Sequence, residues 1–266
     1  MTFMAQPPIR FADGAAYEHT MGPWTQAVGA IFLDWLDPAA GQTWLDVGCG
    51  NAAFTELIVQ RHAPAEVWGI DPSAEQLAYA RSRPGAAGAK FQEGNAMDLP
   101  FGADRFDAAT MALVLGFLPD PARGVSEMAR VVRPGGLVAA YTWDQLDGGY
   151  PFEPILREIR AMGVTPILPP SPDSSRLEAL HGLWAGAGLV SVETKAIPVR
   201  RNFHDFDDFW RANTITGPLR ATLGTMDAGA ISALQDRVRT TVSADDQGRI
   251  AYGSVAHAAK GQVGCL

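Results

Sequence analysis

The chain has 266 residues, 47% of them apolar, and a formal net charge of -8. That length is long for one domain but within range for an α/β domain with insertions, and it can bury a core without staples. The acidic balance, with no basic block, excludes DNA or RNA as a natural partner, since affinity for a polyanion rests on Lys and Arg neutralising phosphates.

The opening "MTFMAQPPIRFADG" has no apolar stretch of signal-peptide length, and no run in the chain approaches the ~18 apolar residues of a membrane span. An amphipathic stretch, "YEHTMGPWTQAVGAIFLDWL" (17–36), follows. The first half then alternates. Strand-like runs, rich in β-branched, aromatic and other apolar residues, lie at 43–48, 66–71, 89–94, 105–113 and 136–143. Helical patterns separate several of them: "NAAFTELIVQRH", "SAEQLAYARSR" and "DPARGVSEMARVV". Ser73 with Gln76 three residues on forms a capping box, and Asp120 followed by Pro121 is a helix start. Strands alternating with helices predict βαβ units and a parallel sheet with helices on both faces.

After Trp143 the pattern changes. Loop-like "DQLDGGYPFEP" and "LPPSPDSS" flank helical stretches at about 152–163 and 175–187. An alternating run at 189–203 reads as a strand, "FDDFWRAN" and "GAISALQDRVRTTV" as helices, and 248–263 as a last strand. The expected organisation is one domain over 1–266. It comprises an N-terminal cap (1–40), a ligand-binding core (41–143), a helical insertion (144–188), two edge strands (189–203 and 248–263) and a helical lid (204–246). Only two cysteines occur, Cys49 and Cys265. They make neither a disulfide framework nor a zinc spacing, which suits a reducing, cytoplasmic setting.

The chemistry concentrates at "TWLDVGCGNAAFT" (43–55), a strand running into Gly48-Cys49-Gly50 and then a helix. Glycine turns the chain tightly and lets a ligand touch the backbone, and the helix start adds free N–H groups. Asp71, ending the second strand, is placed to accept hydrogen bonds from a ribose diol. Asp46 lies two residues before Gly48, where it can orient the turn or face a ligand ammonium. A pyrophosphate would be repelled there. The pattern asks for a nucleoside with a cationic tail.

At these residues the chain resembles the class I S-adenosylmethionine-dependent methyltransferases, in particular the small-molecule group that includes the ubiquinone-biosynthesis C-methyltransferases. Five segments carry the resemblance in order: "LDVGCGNAAFT", "GIDPSAEQLAYAR", "FQEGNAMDLPF", "FDAATMALVLGFLPDP" and "ARVVRPGGLVAAYTW". It implies a Rossmann-like, seven-stranded, mostly parallel sheet with the last strand antiparallel. It also implies S-adenosylmethionine as cofactor and S-adenosylhomocysteine as product. The implied cofactor set is Asp46, Gly48, Gly50, Asp71, Pro72, Gln76, Asn95, Ala96, Met97 and Met111, with Tyr17 and Trp24 from the cap. Three positions depart from the pattern. Ala52 replaces a third glycine, Asn95 replaces an Asp, and Gly116 stands where many relatives carry a His.

The implied reaction is in-line transfer of the sulfonium methyl, which needs alignment and exclusion of water more than acid–base chemistry. Tyr141 and Tyr17 are the candidates to orient or deprotonate an acceptor. The acceptor is expected beside Tyr17, Trp24, Tyr141 and Trp143, beneath the lid. His19, His181, His204 and His257 read as surface or helix-end residues. Met111 and Ala112 stand where DNA-adenine and glutamine methyltransferases carry Asn/Asp-Pro-Pro-Tyr/Phe, so a small organic acceptor is favoured, with no metal, nucleic acid or membrane; a homodimer is left open. Two rival readings remain at this point. One is an NAD-type oxidoreductase, from the Gly-x-Gly-x-x-Ala match ending at Ala53. The other is a non-catalytic S-adenosylmethionine-binding protein.

Overall fold

A computed structural model describes residues 13–265. The part of the expected N-terminal cap at residues 1–12 lies outside the described residues. Seven strands form one sheet: β1 (Thr43–Val47), β2 (Glu66–Asp71), β3 (Lys90–Glu93), β4 (Phe106–Ala112), β5 (Val132–Trp143), β6 (Leu189–Phe203) and β7 (Ile250–Val263). Their spatial order is β3-β2-β1-β4-β5-β7-β6. The strands β1 to β5 pair in parallel, while β7 runs antiparallel to both β5 and β6. The order reverses at β1 and β4, so a crevice opens at the carboxyl ends of these two strands, where such sheets bind ligands. The two late strands share this sheet and close its β5 side, as expected.

The helices are α1 (Gly14–Leu36), α2 (Ala53–His62), α3 (Ala74–Ser82), α4 (Pro121–Val131), α5 (Glu153–Ala161), α6 (Leu177–Gly186), α7 (Phe206–Thr214), α8 (Gly217–Leu223) and α9 (Ala228–Thr241). Local chemistry sets most of their starts. Ser73 Oγ accepts the Gln76 N–H at 3.2 Å, and Asp120 caps Arg123 at 3.1 Å with Pro121 at the first helical position. Asp205 and Asp227 cap α7 and α9 in the same way.

Alternation along the strands divides the core in two. On one face Trp44, Tyr141, Trp143, Ala256 and Ala258 pack against Trp24 and Phe32 of α1, Phe54 of α2, Ile155 of α5 and Phe209, Leu219 and Leu234 of α7 to α9. On the other, Leu45, Val47, Met111 and Val138 pack against Met128 of α4 and Leu180 and Trp184 of α6. The Trp184 indole donates to the Val138 carbonyl at 2.9 Å, which satisfies a fully buried N–H.

Two elements differ from expectation. The fifth strand begins at Val132 rather than 136, because Pro134-Gly135-Gly136 is absorbed as a bulge opposite Phe106–Ala108 rather than forming a free turn. The lid contains α8, seven residues entered by Gly217 with φ +69 and Pro218, too short to show a helical period.

Candidate active site

The site is built on the turn between β1 and α2. Gly48 and Cys49 both donate their N–H to the Ile70 carbonyl, at 2.7 and 3.0 Å, which staples the turn to β2. Gly48, Gly50 and Ala52 are all left-handed, with φ +72, +51 and +65. A side chain at Gly48 would run into Val114 as well as straining the backbone. Ala52 adopts without a glycine the conformation the motif demands, which costs about 1–2 kcal/mol. Gly48→Ala is therefore expected to destabilise the protein by ~1–3 kcal/mol, read as a fall in denaturation midpoint at unchanged m-value.

Asp71 lines the cavity and is also tied inward. Its Oδ2 accepts the Gly50 N–H at 2.9 Å and its Oδ1 the Ser73 N–H at 2.8 Å, so one carboxylate fixes the turn and the entry to α3. Burial pushes its pKa up, and the two N–H donors oppose that shift. Asp46 is fully buried. Thr55 Oγ1 donates to its Oδ2 at 2.6 Å, while Oδ1 has no hydrogen-bond partner. Burial raises its pKa to about 7; the Thr55 bond pulls the other way and the charge of Asp71 adds to the rise. A buried acceptor without a donor is costly, which makes Oδ1 a place prepared for a cation or an N–H.

A cavity of about 470 Å³ opens at this crevice. Of the residues expected from sequence, Tyr17, Gly48, Gly50, Asp71, Pro72, Gln76, Asn95 and Ala96 line it. A hollow of about 20 Å³ beside it holds Asp46, Thr25, Asn51 and Phe54, and shares Tyr17, Gly48, Gly50 and Ala112 with the main cavity. Tyr17 thus stands where the two meet. Burial raises its phenol pKa, with the charges of Asp71, Glu18 and Asp46 adding to the effect, so the hydroxyl stays protonated.

Other expected residues stand apart from the cavity. Met111 is fully buried in the core on the opposite face of the sheet. Met97 is not among the residues lining the cavity; its N–H donates to Asn95 Oδ1 at 2.9 Å and its carbonyl accepts from Arg123 Nε at 2.6 Å. Trp24, Tyr141 and Trp143 are core residues. Tyr141 is fully buried between Phe32 and Phe54, at centroid distances of 5.0 and 5.7 Å, and burial drives its phenol pKa up. Trp143 packs edge-on against Trp24 at 5.6 Å. These three form the wall behind the site rather than its surface, because α1, which carries Trp24, lies directly on the face of β5 that carries Tyr141 and Trp143. Tyr141 lacks the access a general base requires. At Gly116 the space a side chain would take is filled by the amide of Gln145.

Sequence reasoning missed the fastening of α1 to the turn. Asn51 Nδ2 donates to Glu18 Oε2 at 2.8 Å and to the Gly14 carbonyl at 3.3 Å. Arg83 grips Glu18 through Nη1 and Nη2, at 2.7 and 3.1 Å, and Glu56 through Nε at 2.6 Å. A forked guanidinium this well covered is a strong tie. Leu113 was missed as well. It lines the cavity at φ +62, a strained conformation for a branched residue and a mark of a functional site. Among the described residues no group of three or more His, Cys, Asp or Glu side chains could hold a metal ion.

Residues 45–140 match the family model described as a methyltransferase domain. The chain is 38% identical over 124 residues to 2-methyl-6-phytyl-1,4-hydroquinone methyltransferase 2 of Oryza sativa subsp. japonica, covering 46% of this chain and 36% of that protein. It is 37% identical over 110 residues to the demethylmenaquinone methyltransferase of Desulfitobacterium hafniense, covering 40% and 44%. The chain thus spans less than half the length of these curated relatives. In fold it is similar to phosphoethanolamine N-methyltransferase 2 of Haemonchus contortus, solved with phosphomonomethylethanolamine and S-adenosylhomocysteine. That likeness has a TM-score of 0.58 at 17% identity, over 94% of this chain and 57% of that one.

Proposed function

We infer that this chain, which carries a methyltransferase domain at residues 45–140 on the class I Rossmann-like fold, transfers the methyl group of S-adenosylmethionine to a small organic acceptor. The observation that carries the reading is the pair of carboxylates flanking the glycine turn, Asp46 buried and Asp71 half-buried, with an unpartnered oxygen on Asp46. In this reading Asp71 takes the ribose diol and Asn95 and Ala96 flank the adenine. Gly48 and Gly50 admit the ligand to backbone contact, and Asp46 receives the amino-acid ammonium. The residues fit the cofactor in charge: Asp46 for the ammonium, Asp71 for the diol, and no Lys or Arg among the described residues on the cavity to welcome a pyrophosphate. An NAD-type reading is disfavoured for that last reason.

When bound, S-adenosylmethionine supplies an electrophilic methyl on a sulfonium. The chain's own contribution is to align and to keep dry. Tyr17 closes the junction between cavity and hollow with a neutral hydroxyl, and α1 covers the turn. The relatives' names, a phytyl-hydroquinone methyltransferase and a demethylmenaquinone methyltransferase, favour an acceptor of the quinol or quinone type. Among the described residues no helix is long and apolar enough to cross a membrane.

Thermal shift separates the readings. S-adenosylmethionine and S-adenosylhomocysteine at about 100 times their Kd should each stabilise the protein by ~2.7 kcal/mol, while NAD should leave the midpoint unchanged. Stabilisation by NAD alone would overturn the assignment. Methylated product from a panel of phenols and quinols then distinguishes an enzyme from a non-catalytic binder.

A further inference from the structure

We propose that Arg201 is a positioning residue, which holds the first half of α1, and with it Tyr17, over the cavity. The helix α1 contains Pro23. Proline has no N–H to give the carbonyl four residues back, which is that of His19, and its ring crowds the same turn. Arg201 reaches this turn from β6. Its Nη1 donates to the Thr20 carbonyl at 2.6 Å and its Nη2 to the His19 carbonyl at 3.0 Å. One rigid fork thus serves two adjacent carbonyls at the turn where the proline leaves the helical ladder short of an N–H. The guanidinium also lies 4.7 Å from the Phe203 ring centroid, and burial lowers its pKa, as expected of a cation drawn out of water for a structural task.

The position of this contact gives it a consequence for the site. Upstream of Pro23, residues 14–22 carry Tyr17 into the cavity and Glu18 onto Arg83 and Asn51. Downstream, residues 24–36 are anchored by Trp24, Val28, Phe32 and Leu33, all fully buried. The upstream half is the smaller and less buried part, and it is fastened from two sides: Asn51 and Arg83 hold Gly14 and Glu18 on the side of α2, and Arg201 holds the His19–Thr20 turn on the side of the lid. The lid meets the same turn again, since Asp208 of α7 stands 3.9 Å from His19. Without Arg201 the upstream half would be free to pivot at the proline, and Tyr17 would lose its fixed place.

The test is a double-mutant cycle with Pro23→Ala, because alanine restores an N–H for the His19 carbonyl and makes the fork partly redundant. Hydrogen exchange on the full chain without cofactor is the first measurement. Arg201→Met should speed exchange in residues 14–22 by about tenfold and leave 24–36 unchanged. In the Pro23→Ala background the same substitution should speed it by less than about twofold. Arg201→Lys, which keeps the stem and charge but cannot fork, serves if the Met variant does not fold. Calorimetry with S-adenosylhomocysteine is the second measurement and rests on the cofactor reading above. Affinity should fall by about fivefold or more in Arg201→Met, and by less than about twofold when Pro23→Ala is present. Uniform acceleration along all of α1, unchanged exchange in 14–22, or equal effects in both backgrounds would overturn the positioning role. Failure of the wild-type protein to bind S-adenosylhomocysteine would overturn the cofactor reading and the Tyr17 step with it, while the exchange pattern still decides the clamp.

Discussion

Asp71→Ala is expected to weaken S-adenosylhomocysteine binding by ~2–4 kcal/mol, roughly thirtyfold to a thousandfold, in a protein that remains folded. The magnitude reflects two losses. The first is a pair of charge-assisted hydrogen bonds to the ribose diol. The second is internal: the Gly50 and Ser73 N–H groups lose their acceptor, and the glycine turn and the first turn of α3 lose their common anchor. Asp71→Asn should be nearly as damaging. Its amide offers one oxygen where the native carboxylate offers two, and its NH2 would face a backbone N–H. Calorimetry on both variants, with a denaturant midpoint to establish folding, decides the matter. Unchanged affinity in folded Asp71→Ala protein would remove Asp71 from the binding site. Retained affinity in Asp71→Asn alone would mean that geometry rather than charge is what the ligand reads.

What could be read from the sequence follows from how local each signal is. Ser73 with Gln76, and Asp120 with Pro121, cap helices within four residues, so both starts were visible. The glycine turn and Asp71 were visible because a strand end, a bare backbone and an acid come in a fixed order. The faces of β5 were not visible in the same way. In a sheet covered by helices on both sides, both rows of side chains are apolar. Tyr141 and Trp143 therefore look alike whether they line a cavity or support its wall, and only the position of α1, with Phe32 against Tyr141, decides. The Arg83–Glu18 contact joins residues 65 apart and the Arg201–Thr20 contact residues 181 apart. No period or motif marks such pairs. The one local trace was Pro23, an interruption within an otherwise helical pattern that requires some outside partner.

Asp46 should make stability and cofactor affinity respond to pH in opposite directions. Its pKa is about 7 in the folded, empty protein against a reference of 3.8, because burial penalises the carboxylate. A carboxyl raised by folding contributes stability that is fully present below about pH 4 and is lost as pH rises through 7, to an extent on the order of 4 kcal/mol. The cofactor ammonium reverses this preference, since an adjacent cation favours the charged form. Binding near pH 6 should therefore release a proton, and affinity should rise about tenfold per pH unit up to 7 and then level off. Asp46→Asn separates the two effects. It keeps an oxygen to accept from Thr55 and removes the ionisation, so the empty protein should be more stable than wild type at pH 8 and indistinguishable from it at pH 4. Binding should fall by ~2–3 kcal/mol at pH 8 and lose its pH dependence. Calorimetry in two buffers of different ionisation enthalpy reads the proton directly. A wild-type binding enthalpy independent of buffer, together with an Asn variant that binds equally well, would show that the unpartnered oxygen of Asp46 meets no cation. Stabilisation at pH 8 together with weakened binding would instead mark Asp46 as a residue retained for its ligand at the expense of the fold.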